Sequence, residues 1–110
     1  MSGAHILVAT GAGNVVARNW VIGSRATSFT GNDSGIVVIQ SASGTRVVEN
    51  VAVAAGLDGI DVEDPTARVS RNTANDNGDL GIEAVAGVRG NGNRAARNGN
   101  PAQCAGVACQ

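Results

Sequence analysis

Six carboxylates crowd into two neighbouring stretches of this chain: Asp58, Asp61, Glu63 and Asp64, then Asp79 and Glu83. In Ile60-Asp61-Val62-Glu63 the apolar and acidic residues alternate, which is the strand signature and puts Asp61 and Glu63 on one solvated face. Asp61 and Glu83 stand at the same interval as Ile60 and Ile82. If that interval is one structural repeat, Asp61, Glu63 and Glu83 converge on adjacent strands. Like charges placed so repel, and the set invites either a cation or a raised pKa. Calcium, which takes roughly 6–8 oxygen ligands, is the cation such a set would hold. The plainer reading is a solvated face whose charges are screened by salt, with Asp58 and Asp64 simply in turns.

Other chemistry is sparse. The chain has eight arginines, no lysine and a single histidine, His5. His5 has no Ser and Asp partners fixed by a motif, so no nucleophilic triad is predicted. Arg46, Arg68 and Arg94 occupy equivalent places in a repeated unit and form a basic stripe suited to carboxylated sugars. The plainer use is pairing with carboxylates on neighbouring strands, and Glu49 falls in register between Arg18 and Arg71. Trp20 and Phe29 are assigned to an inserted loop, as a staple onto the body or a small sugar platform. Cys104 and Cys109 read as a short terminal disulfide, with two inert thiols as the alternative; one pair is a poor zinc site, which wants four ligands.

The elements that must position these groups are written in a repeat. A five-residue unit ending in Asn occurs at residues 15–19, 46–50, 68–72 and 94–98. Between these units fall Gly35-Ile36, Gly59-Ile60, Gly81-Ile82 and, more weakly, Gly106-Val107. The interval from Asn50 to Asn72 equals that from Ile60 to Ile82. The longer Asn spacings imply insertions between Asn19 and Gly35 and between Val85 and Arg94. Two short alternating segments per repeat, separated by Asn/Gly turns, exclude helical repeats and describe stacked parallel strands. Equivalent residues then lie about 4.8 Å apart, close enough for Asn19, Asn50, Asn72 and Asn98 to form an amide ladder. Val16, Val47, Val69 and Ala95 form an apolar stack inside it. The composition agrees: 18 Ala, 15 Val and 6 Ile against one Phe, one Trp and no Tyr suit a thin, layered core.

The expected fold class is all-β, a right-handed parallel β-helix of about four to five coils, with coils over residues 1–100 and a Cys-containing cap over 101–110. No capping segment is evident ahead of the first coil, so its edge and core are expected to be open. A formal charge of −1 gives no basic footprint for nucleic acid. No apolar run approaches the roughly 20 residues of a membrane helix, and the first residues lack the pattern of a signal peptide.

The Gly-Ile and Val-x-x-Asn units resemble those of the right-handed parallel β-helix proteins, the pectate-lyase-like superfamily. Residues 93–104, with Cys109, are similar to the C-terminal end of bacterial secreted members. The resemblance covers residues 5–110 and implies extracellular or cell-envelope placement and work on acidic polysaccharide, with calcium bound by carboxylates in the lyases. Leu57-Asp58-Gly59-Ile60-Asp61 and Gly78-Asp79-Leu80-Gly81 are similar to motifs of the polygalacturonase-type glycosidases, which makes Asp58, Asp61 and Asp79 catalytic candidates. However, Leu80 stands where the resemblance implies the general acid, and inverting hydrolysis needs that acid. Five coils span only about 24 Å at strand spacing, short for a groove holding several sugars. The expected function is therefore a non-catalytic module of a longer secreted protein that contacts polysaccharide or cell envelope. Upstream β-helix coils or a second copy would pack at its open N-terminal end. The alternatives are a polysaccharide lyase or glycoside hydrolase, and a purely structural capping or assembly unit.

Overall fold

The computed structural model describes residues 6–22 and 34–110. All regular structure in these residues is strand, two or three residues at a time, and every pairing is parallel. The first sheet stacks β1 (Ile6–Val8), β5 (Ile36–Val38), β9 (Ile60–Val62), β12 (Ile82–Ala84) and β14 (Cys104–Ala105) in that order. The second stacks β3 (Val15–Ala17), β7 (Arg46–Val48) and β10 (Arg68–Ser70). The third stacks β4 (Trp20–Ile22), β8 (Val51–Val53), β11 (Thr73–Asn75) and β13 (Arg94–Ala96). A short pair, β2 (Gly11–Ala12) with β6 (Ala42–Ser43), lies between the first and second. The chain visits the sheets in a fixed order and returns to each one circuit later, as from Ile60 to Ile82 or from Val47 to Val69. That arrangement is compatible with a parallel β-helix.

Alternation decides what goes inside. Ile36, Ile60 and Ile82 stack in register, as do Val16, Val47 and Val69, and Val21, Ala52, Ala74 and Ala95. All are buried. The section is so thin that small and β-branched side chains fill it, each contributing no more than about 1.5–3 kcal/mol by burial.

The corner between the second and third sheets explains the recurring Asn. The residue before it adopts the left-handed conformation: Arg18 (φ 55°), Glu49 (φ 57°) and Arg71 (φ 55°), with Gly92 (φ 72°) in the last circuit. This swings the chain from one sheet to the next and leaves the following N–H and nearby carbonyls off the ladders. The asparagine satisfies them. Asn50 Nδ2 donates to Val16 O (2.8 Å) and to Asn72 Oδ1 (3.0 Å), which also accepts from Asn50 N (2.9 Å). Asn72 repeats the pattern with Val47 O and with Asn93 Oδ1.

The ladder therefore runs Asn19, Asn50, Asn72, Asn93; the expected fourth member, Asn98, is elsewhere. Residues 94–98 stack on 73–77 rather than on 68–72. Asn98 belongs to a second corner, where Asn77 Nδ2 donates to Asn98 Oδ1 (2.9 Å) and Asn98 Nδ2 to Gln103 Oε1 (2.8 Å). Ala95 likewise stacks on Ala74 and not on Val69. The cause is a circuit that shortens: Asn72 and Asn93 are 21 residues apart, so no insertion precedes Arg94. The first-sheet step after Ile82 is Cys104, not Val107.

The second corner also accounts for the glycines before the isoleucines. A Cβ on Gly59 would lie 2.7 Å from Asn77 Nδ2, and one on Gly81 2.8 Å from Asn98 Nδ2. At Gly59 and Gly81 an asparagine amide takes the space of a side chain, whereas at Gly35 the Cβ would meet Gly59 O at 2.9 Å.

At the C-terminal end, Cys104 and Cys109 form a disulfide. Gln110 N donates to Asn93 O (2.9 Å) and Ala95 N to Gln110 O (3.0 Å), so the tail folds across the last circuit.

Candidate functional site

Of the acidic residues, three meet. Asp58, Asp61 and Glu83 each bring a carboxylate oxygen within 4.8 Å of the others. Asp61 and Glu83 are cross-strand partners on β9 and β12, as their equal places in the repeat predict. Asp58 reaches them from the turn ahead of β9 and accepts a hydrogen bond from Leu80 N (3.0 Å). Glu63 takes no part: it lies exposed beyond the end of β9, so Asp58 replaces it in the predicted trio. Asp79 also lies outside, half-buried and bonded to Asn100 Nδ2 (3.1 Å).

The expected solvated face does not describe this cluster. Asp58 is 5% and Asp61 6% exposed, while Glu83 is exposed. Burial, a hydrogen bond with Glu83 and the charges of Glu83 and Asp61 push the Asp58 carboxyl up to about 8, against the pull of Leu80 N–H. At neutral pH Asp58 holds a proton and shares it with Glu83, the raised-pKa outcome for crowded carboxylates. The donor set also suits calcium, though three side-chain oxygens would leave much of its roughly 6–8-oxygen shell to other groups. Asp64 differs. Burial raises its pKa, but hydrogen bonds from the Thr66 hydroxyl and N–H and from Thr45 N more than offset this and hold it below the usual carboxylate range. It is a turn residue.

The basic stripe exists with one change of member. Arg46 and Arg68 are cross-strand partners on β7 and β10, and Arg68 is bridged to Arg89. Arg94 is on the third sheet, opposite Thr73. Arg46, Arg68 and Arg89 all point outward and are exposed. Among the described residues none of the three has an ion pair or a side-chain hydrogen bond. Adjacent strands lie about 4.8 Å apart, so backbone pairing sets the three arginine side chains in one outward-facing row. Beside them lies a depression of about 310 Å³ lined by Pro65, Thr66, Ala67, Arg68, Gly87 and Arg89. The predicted pairing with carboxylates occurs elsewhere, at Arg18–Glu49 (3.8 Å) and Arg97–Asp76 (2.8 Å).

Trp20 opens strand β4 instead of an inserted loop, and is 73% exposed. His5 and Phe29 lie outside the described residues. Sequence reasoning missed Arg89, Asn77 and Asn93. Their signals are offsets of one circuit from Arg68, Ala55 and Asn72, hidden because Asn77 and Asn93 stand in Asn/Gly turns and Arg89 in the stretch expected as an insertion.

The chain matches no protein-family model, and neither a curated protein nor a solved structure matches it.

Proposed function

We propose that this chain is a non-catalytic right-handed parallel β-helix module of four to five coils, of the pectate-lyase-like kind, that binds acidic polysaccharide along Arg46, Arg68 and Arg89. The unpartnered arginine row carries the reading. Three exposed like charges on adjacent strands repel, and nothing in a folding role requires them. A polyuronate relieves that repulsion: its carboxylates recur along a line, and each accepts the two parallel N–H bonds of a guanidinium. The flat, exposed row suits a polymer better than a small molecule, which would need an enclosing cavity. The disulfide supports placement outside the cell or in its envelope, where such bonds persist.

The rival reading, a lyase or hydrolase, draws on the Asp58–Asp61–Glu83 cluster. Its weakness is access, because Asp58 and Asp61 are almost wholly buried and the Asp58 carboxyl is already hydrogen-bonded to Glu83. Binding of polygalacturonate and alginate, compared with a neutral glucan, tests the proposal. Retention of the acidic polymers only, weakening as salt screens the charges, is expected. Equal retention of the neutral glucan contradicts it. Release of shortened or unsaturated sugars, with or without calcium, that is abolished in Asp61→Ala would establish the rival.

A further inference from the structure

The asparagine corner has a direction. Each side-chain oxygen accepts two hydrogen bonds from the asparagine one circuit nearer the N-terminus. Asn72 Oδ1 takes Asn50 N and Nδ2, and Asn50 Oδ1 takes Asn19 N (2.9 Å) and Nδ2 (3.1 Å). Donors are thus left over at one end of the stack and acceptors at the other. The C-terminal end is covered: over the end of this ladder Cys109 is bridged to Asn93 and Gln110 N donates to Asn93 O, while in the second corner Gln103 Oε1 accepts from Asn98 N and Nδ2. Among the described residues the N-terminal end has no such cover. Among the described residues no donor reaches Asn19 Oδ1, the one ladder oxygen without its pair. β1, β3 and β4 are each the outermost strand of their sheets. The same circuit carries Leu7 (58% exposed), Val15 (62%), Trp20 (73%) and Ile22 (58%), four of the six exposed large apolar side chains among the described residues.

We infer that the N-terminal circuit is a docking surface for a further parallel β coil, laid in the place of a preceding circuit with its strands in the same direction. The corner asparagine of that coil donates its backbone N–H and side-chain amide to Asn19 Oδ1. Its outward residues pair across strands with Val15, Trp20 and Ile22. The polarity of the ladder selects this occupant over a second copy of the chain. Two copies meeting head to head would face one Asn19 acceptor with another. Meeting head to tail, they would bring a C-terminus already covered by Gln103 and Gln110. The inference stands apart from the arginine row, which lies on the outer face.

An extension of the full chain tests it. Residues 46–59 are copied and joined to Ile6 in place of residues 1–5. Gly59 of the copy then precedes Ile6 just as Gly35 precedes Ile36, Gly59 precedes Ile60 and Gly81 precedes Ile82. The copied β7 and β8 fall over β3 and β4, and the copied Asn50 over Asn19. The extended protein should melt higher, by about 4–8 °C for each kcal/mol of docking. With Asn50→Leu in the copy alone, most of that gain should vanish. No rise in the extended protein, or an equal rise with leucine in the copy, overturns the inference. Sedimentation of the unextended chain gives a second reading. A monomer at all concentrations is expected, whereas a concentration-dependent dimer abolished by Asn19→Leu would assign the surface to a second copy and overturn it as well.

Discussion

Arg46 and Asn50 stand four residues apart in one circuit and repeat at the same strand spacing, yet their surroundings are opposite. Asn50 is 1% exposed, and its amide and oxygen are spent on Val16, Asn19 and Asn72. Arg46 is exposed, without an ion pair among the described residues. Burial turns a polar repeat into structure, because a buried group without its partner costs about 1–3 kcal/mol. Exposure leaves a charged repeat in water, where the repulsion is screened and no partner within the fold is needed. The acidic cluster belongs with the asparagines: it resolves its own repulsion by holding a proton on Asp58.

Breaking the buried row should have the largest effect. Asn72→Leu removes the acceptor of Asn50 N–H and the donor to Val47 O, and should cost about 3 kcal/mol in chemical denaturation. Asn19→Leu should cost less, about 1 kcal/mol, since no donor among the described residues uses its oxygen. Equal losses would deny the ladder its direction. Next, Gly81→Ala places a Cβ 2.8 Å from both Ala95 Cβ and Asn98 Nδ2, and should lower stability by about 1–3 kcal/mol as overpacking does.

The acidic cluster predicts a pH dependence of definite sign. Asp58 titrates near 8 when folded, against 3.8 as its reference value, so the folded state binds the extra proton. The resulting stability is complete below about pH 4 and is lost as pH rises through about 8. The melting temperature should fall between pH 5 and pH 9, and Asp58→Asn should flatten that slope. A slope unchanged in Asp58→Asn would place the proton elsewhere. The smallest effect is a gain. Arg71, held at φ 55°, has no ion pair among the described residues, and Arg71→Gly should stabilise by about 0.5–1 kcal/mol in the same denaturation assay.

The period, the parallel stacking and the terminal disulfide were legible because they rest on residue type at fixed offsets: Ile60 over Ile82, Val47 over Val69, Asn50 over Asn72. The phase of the last circuit was not. Residues 94–98 read like residues 68–72, but the residues one circuit on from 68–72 are 89–93, so 94–98 fall on the neighbouring sheet over 73–77. The left-handed residue before the corner is Arg, Glu or Gly at the first corner and Ala, Asp or Arg at the second, so no single letter marks it. Alternation chose the right face for Asp61 and Glu83 but cannot see Asp58, which enters the cluster through a turn. Arg89 was hidden because its strand shrinks to a single bridge, while Arg94 looked equivalent by its neighbours in sequence.

The contrast between the rows reduces to one variant read two ways: the triple replacement of Arg46, Arg68 and Arg89 by Gln, measured for polygalacturonate affinity at low salt and for melting temperature. The account predicts at least a tenfold loss of affinity, about 1.4 kcal/mol, with the melting temperature unchanged or raised. Undiminished affinity, or a loss of affinity that comes only with unfolding, would contradict it.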